Sequence, residues 1–170
     1  MKYTGWELHN FDQANLYRSY QFSLIKNSIK GKILEVGPGN CIYLNNYTKI
    51  SNNITLIEPT KKYFNFLKKK SKKNKKINVK KNLKNLNNNY YDTIIYLDVI
   101  EHIKNDKEEI KKAYKLLKKN GTLIICVPAF QFLYSLYDKK IGHFSLFYGI
   151  FFQKVESLSM FAFFLKWSLH

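Results

Sequence analysis

Arginine is almost missing from this chain of 170 residues. Arg18 is the only one, so the formal net charge of +17 rests almost wholly on lysine. Proteins that read nucleic acids grip base edges and phosphates with arginine forks. Lysine accompanied by abundant Asn and Ile reads instead as a compositional bias, which argues against a nucleic-acid substrate despite the charge. Cysteine is scarce as well: Cys41 and Cys126 are the two present, and neither has a histidine partner at metal-ligand spacing. That excludes a disulfide framework and a Cys/His metal centre, and predicts two buried thiols in a reduced, cytoplasmic protein with no metal. Long apolar runs are lacking too. The aromatic stretch Phe144 to Leu169 is interrupted by Gln153, Lys154, Glu156 and Lys166, so no window reaches the ~18 apolar residues of a spanning helix. The opening Met1-Lys2-Tyr3-Thr4-Gly5-Trp6 has no apolar core of a signal peptide. What is present is a hydrophobic share of 45%, too apolar for a disordered chain and enough for the core of one domain.

The order of elements points to an α/β fold. Phe11, Ala14, Tyr17 or Arg18, Phe22 and Ile25 recur at helical spacing, which predicts an amphipathic helix from Phe11 to Ser28, stopped at Gly31. Lys32 to Val36, Asn53 to Ile57, Ile77 to Lys80, Thr93 to Leu97 and Thr122 to Val127 read as strands. Between them, Asn40 is expected to cap a helix over Ile42 to Tyr47, and Thr60 a lysine-rich helix carrying Tyr63, Phe64 and Leu67 inward. The lysine run Lys68 to Lys76 reads as a solvated helix end. A helix from Asp106 to Lys118 is expected to end at Asn120-Gly121, with the glycine in the left-handed cap conformation. Strands alternating with helices through short loops require parallel pairing and right-handed crossovers, hence a doubly wound, Rossmann-like sheet. Its continuous apolar runs fit strands covered on both faces.

Ligands of such sheets bind beyond the carboxyl ends of the strands. After the first strand comes Glu35-Val36-Gly37-Pro38-Gly39-Asn40-Cys41, where two glycines permit a sharp turn and close approach by a ligand. A dinucleotide fingerprint needs a third glycine at position 42, which is Ile42, so a nicotinamide or flavin oxidoreductase is disfavoured. After the second strand stands Glu58, placed to accept from both hydroxyls of a ribose. After the fourth comes Asp98-Val99-Ile100-Glu101-His102, facing the same crevice; His102 also suits a capping or core position.

Together, ILEVGPGN (Ile33 to Asn40), LIEP (Leu56 to Pro59), YDTIIYLDVIEHIKND (Tyr91 to Asp106) and LKKNGTLIICVPA (Leu117 to Ala129) resemble the class I S-adenosylmethionine-dependent methyltransferases, in the branch acting on small molecules. The resemblance implies S-adenosylmethionine as cofactor and a small-molecule, saccharide or lipid-linked acceptor. It implies that Gly37 and Gly39 pass the methionine part along their backbone, with Glu35 bracing the turn. Glu58 would hold the ribose, Asn82 would meet the adenine amine, and Asp98 and Val99 would line the methionyl end. The leader WELHNFDQANLYRSYQF (Trp6 to Phe22) resembles the family's cofactor cap. It implies that Tyr17, Arg18 and Tyr20 close over the cofactor, with Arg18 meeting its carboxylate. His143, His102 and Asp138 are the candidate catalytic residues, the histidines as bases and Asp138 as orienter.

The likeness divides the chain into a cap (residues 1–30), a cofactor-binding core (31–129) and an atypical, shortened acceptor region (130–170). After Gly142-His143-Phe144 the family's arginine-rich segment and following helix are absent, and Gly149 to Trp167 resembles the sixth strand and the aromatic stretch after it. The sheet is thus expected to lack at least its last strand, which in this family inserts antiparallel beside strand five. An open edge there would be an aggregation hazard. The aromatic tail is then expected to cover that edge, to dimerise or to rest on a membrane. The alternative reading is a truncated, non-catalytic subunit that needs a partner.

Overall fold

The computed structural model describes residues 15–127, 150–154 and 161–163. Helix α1 (Asn15–Ile25) is followed by a 3₁₀ turn at Lys26–Ser28. Then come β1 (Ile33–Val36), α2 (Leu44–Ile50), β2 (Ile54–Ile57), α3 (Lys61–Lys73), β3 (Ile77–Lys80) and β4 (Tyr91–Leu97). A 3₁₀ turn at Ile100–His102 leads to α4 (Asp106–Leu116), β5 (Leu117–Cys126), β6 (Ile150–Lys154) and β7 (Phe161–Phe163). The sheet order is β3-β2-β1-β4-β5-β6-β7. The first five strands are parallel, with Val36 opposite Ile57 on one side and Tyr96 on the other. This is the doubly wound sheet expected from the sequence, with strand order reversing between β1 and β4.

Alternation along each strand splits the core into two layers. Ile33, Leu56, Ile95 and Ile124 pack with Ile25 of α1, Tyr47 of α2 and Leu67 of α3. Leu34, Ile57, Ile94 and Ile125 pack on the other face with Ala113 and Leu116 of α4.

Several expectations are corrected. The helix after Asn40 starts at Leu44 with Tyr43 as its N-cap, and no side chain caps it. Thr60 does precede α3 but makes no side-chain cap bond. The helix expected over Asp106 to Lys118 stops at Leu116, because Leu117 pairs with Tyr91 at the start of β5. The chain then bulges before Thr122 meets Thr93. In that bulge Asn120, not Gly121, has the left-handed φ of 64°. Glycine is needed at 121 for space: a Cβ would stand 2.9 Å from both Leu117 Cδ2 and the Lys118 carbonyl oxygen.

At the far edge the aromatic tail takes the first of its three expected places, covering β5. β5 is not left open: β6 runs antiparallel beside it, Ile124 opposite Phe152, and β7 pairs antiparallel on β6. Among the described residues the sheet therefore has seven strands. The first strand after β5 takes the antiparallel place that the resemblance reserves for the last one. Among the described residues no helix is long and apolar enough to cross a membrane.

Candidate active site

The site is built on the turn that follows β1. The Gly37 amide donates to the Ile57 carbonyl at 2.8 Å, continuing the β1–β2 ladder for one residue past Val36. The chain then turns through left-handed conformations at Gly37 (φ 69°), Gly39 (φ 54°) and Cys41 (φ 49°). Gly37 has a second reason to be glycine, since a Cβ there would lie 2.6 Å from Val99 Cγ2. The Gly39 amide donates to Glu58 Oε2 at 3.0 Å, and the Thr60 amide to Glu58 Oε1 at 2.8 Å. Glu58 thus fastens the first turn to the start of α3 while standing at the carboxyl end of β2.

Glu35 braces the turn from beneath. Its carboxyl accepts from Cys41 Sγ at 3.3 Å and from the Tyr47 hydroxyl at 3.2 Å. Burial pushes Glu35 up from its ordinary 4.5 to about 7; the bonds from Cys41 and Tyr47 pull the other way, and the charge of Glu58 adds to the rise. Burial and the nearby Glu35 hold the Cys41 thiol and the Tyr47 hydroxyl well above their ordinary ranges, so both remain protonated donors. Cysteine holds a left-handed position that glycine would take without strain, and in exchange its thiol donates to Glu35. Ile42 lines the cavity and packs on the core, where the dinucleotide pattern would have glycine.

On the adjacent strand, Asp98 sits after β4 with φ 54°. Its Oδ2 accepts from Gln21 Nε2 of α1 at 3.2 Å. Gln21 also reaches Cys126 Sγ at 3.3 Å, and its Oε1 accepts from the Tyr43 hydroxyl at 2.7 Å. The Arg18 carbonyl lies 3.0 Å from the same hydroxyl and shares its single proton with Gln21, which ties α1 to the turn. Burial raises the Asp98 carboxyl, against the lowering effects of the Gln21 bond and Arg18.

These elements enclose one cavity of about 1380 Å³ at the carboxyl ends of β1, β2 and β4. The structure brings Tyr17, Arg18, Glu35, Gly37, Gly39 and Glu58 to its wall, together with Asn82, Asp98, Val99 and His102. Asn82 is exposed at the rim, its Oδ1 accepting from the Lys84 amide at 3.0 Å. His143 and Asp138 lie outside the described residues, as do Trp6 to Ala14 of the leader. Cys41 and Cys126 are both buried, free thiols. No cluster of three or more potential metal ligands occurs among the described residues.

Three contributors were not singled out in the sequence. Gln21 and Tyr43 form the strap between helix and turn, and Gln21 sits one helical turn beyond Tyr17 and Arg18. Glu101, in the 3₁₀ turn Ile100–His102, has no exposed surface, lines the same cavity and has no hydrogen-bond partner for either carboxyl oxygen. Its neighbours in sequence drew attention, and its own burial was invisible there.

Residues 9–158 match the family model described as a methyltransferase domain. A curated relative, the ubiquinone biosynthesis O-methyltransferase of Pelagibacter ubique (strain HTCC1062), is 27% identical over 129 residues, covering 69% of this chain and 54% of that protein. The chain thus spans about half the length of this relative. Among solved structures, a SAM-dependent methyltransferase from Archaeoglobus fulgidus aligns with a TM-score of 0.64 at 17% identity, over 86% of this chain and 69% of that one. A SAM-dependent methyltransferase from Aquifex aeolicus gives 0.63 at 18%, over 75% and 74%. A glycine turn braced by one buried acid and bonded to a second, on a sheet of this order, agrees with the family match over most of the chain: this protein belongs to the methyltransferase-domain family and has its class I, Rossmann-like fold.

Proposed function

We propose that this chain binds S-adenosylmethionine in the cavity above β1, β2 and β4 and directs its methyl group to a small-molecule, saccharide or lipid-linked acceptor. The observation that carries the reading is the meeting of the Gly37–Gly39 turn with Glu58. The turn offers backbone with no side chain in the way. A carboxylate offers about four acceptor sites, of which the Gly39 and Thr60 amides use two. The remaining lone pairs suit a ribose diol. Asn82 at the rim is assigned to the adenine amine, and Asp98 and Val99 to the methionyl end. Tyr17 and Arg18 on α1 are assigned to the covering side, with the Arg18 guanidinium meeting the cofactor carboxylate.

S-adenosylmethionine supplies an activated methyl group on a sulfonium. The protein's share is then to orient donor and acceptor in line and to keep water out. The two buried core layers back the strands that carry the turn, and Gln21 bonds both Asp98 and the Tyr43 hydroxyl, linking the covering helix to the cavity wall. A proton acceptor is needed where the acceptor atom is a hydroxyl or amine; of the three sequence candidates, His102, His143 and Asp138, His102 is the one among the described residues, and it lines the cavity. The pairing of β6 along β5 removes the open edge that favoured a partner-dependent subunit.

Titration calorimetry with S-adenosylmethionine tests the reading. Micromolar binding is expected, followed by transfer of labelled methyl groups into a pool of cell-extract metabolites and macromolecules. Undetectable heat at millimolar cofactor would overturn it.

A further inference from the structure

Among the described residues five acids line the cavity: Glu35, Glu58, Asp98, Glu101 and Glu109. Four have partners. Glu35 is held by Cys41 and Tyr47, Glu58 by two amides, Asp98 by Gln21, and Glu109 by the Tyr96 hydroxyl at 3.4 Å and Lys112 at 3.9 Å. Glu101 alone has both oxygens buried and unpaired. Buried polar groups are nearly always bonded, because an orphan forfeits its hydration without return. A fully buried carboxyl left unpaired at a ligand cavity therefore marks a place where a ligand completes the bonding.

Glu101 stands on the turn that carries Asp98 and Val99, and Val99 touches the Gly37 turn. Glu35, Gly39 and Glu58 line the same cavity with their bonds already made. We infer that Glu101 receives the hydroxyl or amine N–H of the methyl acceptor and takes its proton during transfer. The inference rests on the methyltransferase reading and narrows its substrate class. An acceptor that is itself a carboxylate would set a third acid beside Asp98 and Glu101 in a dry wall and is disfavoured. A neutral acceptor that donates a hydrogen bond is favoured.

The step balances. The acceptor oxygen or nitrogen forms a bond to the methyl carbon. The carbon–sulfur bond of the donor breaks, and its electron pair stays on sulfur, leaving a neutral thioether. The proton displaced from the acceptor moves to the Glu101 carboxylate. Burial, helped by Asp98, pushes Glu101 up from 4.5 to about 8, while its own amide pulls slightly the other way. That value brings the group toward the range of a phenolic or enolic hydroxyl, as proton transfer requires. The Cys126 thiol at the end of β5 feels Glu101 in turn and is pushed up to about 12 by burial, Asp98 and Glu101, so it stays neutral beside it.

The test compares the full chain with Glu101→Gln and Glu101→Met. Both variants are expected to bind S-adenosylmethionine within about twofold of the parent by calorimetry. Transfer of labelled methyl groups into extract is expected to fall by ~10²–10⁴-fold in both. The label made by the parent should survive mild alkali, as ethers and methylamines do; release as volatile labelled methanol would mark a methyl ester and overturn the inference. A readout independent of catalysis is the melting temperature without cofactor. Glu101→Met removes an unpaired buried carboxyl at similar volume, so a rise of a few degrees is expected, and a fall would show that the carboxyl serves structure. Transfer undiminished in Glu101→Gln, or cofactor affinity lost together with transfer, overturns the Glu101 assignment and leaves the methyltransferase reading intact. No cofactor binding by the parent overturns the methyltransferase reading itself.

Discussion

The Gly39 amide donates to the Glu58 carboxylate at 3.0 Å, joining two turns nineteen residues apart. The bond makes one side chain both a structural clasp and the candidate ribose grip. The Thr60 amide holds the other oxygen at 2.8 Å, so the carboxylate cannot rotate away. Glu58→Ala strips the Gly39 amide of its acceptor and removes the ribose acceptor as well. Hydrogen bonds to charged groups contribute about 1.5–3 kcal/mol, so S-adenosylmethionine affinity is expected to fall roughly 10- to 100-fold. Glu58→Gln retains one acceptor oxygen and should lose less. Calorimetry on the two variants gives the order; equal affinity in parent and Glu58→Ala would refute the assignment.

Gly37 and Val99 form a second relation that can be separated into parts. Gly37→Ala meets two penalties: a left-handed φ of 69°, and a Cβ 2.6 Å from Val99 Cγ2 and 2.9 Å from Cγ1. The backbone part costs about 1–2 kcal/mol and the overpacking about 1–3 kcal/mol. Val99→Ala introduced with Gly37→Ala relieves the second and not the first. The double variant is therefore expected to regain about half of the lost stability in urea denaturation. A double variant no more stable than Gly37→Ala alone would place the whole cost in the backbone.

Much of this frame was legible in the sequence, for a physical reason. Parallel strands buried on both faces appear as short apolar runs, and their ends were marked by Gly37, Pro59 and the Asn-rich loop after Lys80. The acids at 35, 58 and 98 could be placed because strand ends in this topology converge. What could not be read depends on distant pairing. Leu117 suits the inward stripe of α4 as well as β5, and only its pairing with Tyr91 decides. Ile150–Lys154 carries no signal that it will turn antiparallel beside β5. Gln21 looks like any polar residue on a helix until the fold brings Asp98 to it across 77 residues. The orphaned state of Glu101 is a property of packing around it and leaves no trace in its neighbours.

Glu35 gives the protein a pH dependence of defined sign. Its folded value, about 7, lies above its ordinary 4.5, chiefly through burial. The folded state therefore holds a proton that the unfolded state releases between those two values. Stability contributed by this group is complete below about 4.5 and declines as pH rises through about 7. At 1.36 kcal/mol per unit the loss from Glu35 is about 3 kcal/mol. Glu101, raised to about 8, adds a decline of the same sign over a window reaching slightly higher. Glu35→Gln mimics the protonated acid and keeps an acceptor for Cys41 or Tyr47. Denaturation midpoints measured from pH 5 to 8.5 should fall in the parent and fall less in Glu35→Gln. Parallel curves for the two would exclude Glu35 as the source.

Gln21 makes the last prediction, because it couples the covering helix to the cavity wall. Its Nε2 reaches Asp98 and Cys126, and its Oε1 takes the Tyr43 hydroxyl, all with the side chain buried. Gln21→Ala leaves both Asp98 Oδ2 and the Tyr43 hydroxyl without these bonds, at a cost of about 1–3 kcal/mol. If α1 covers the cofactor, its loosening should also weaken S-adenosylmethionine binding and speed proteolytic cleavage near Asn15–Ile25. Gln21→Glu is the sharper probe. It sets a second carboxyl against Asp98, and two buried like charges cannot both ionise at low cost. At pH 8 this variant should be less stable than Gln21→Ala. On acidification the two carboxyls can share a proton and restore the bond, so its midpoint should recover toward the parent by pH 5 while that of Gln21→Ala should not. Recovery of both variants, or of neither, would show that α1 is held by its apolar contacts and not through Asp98.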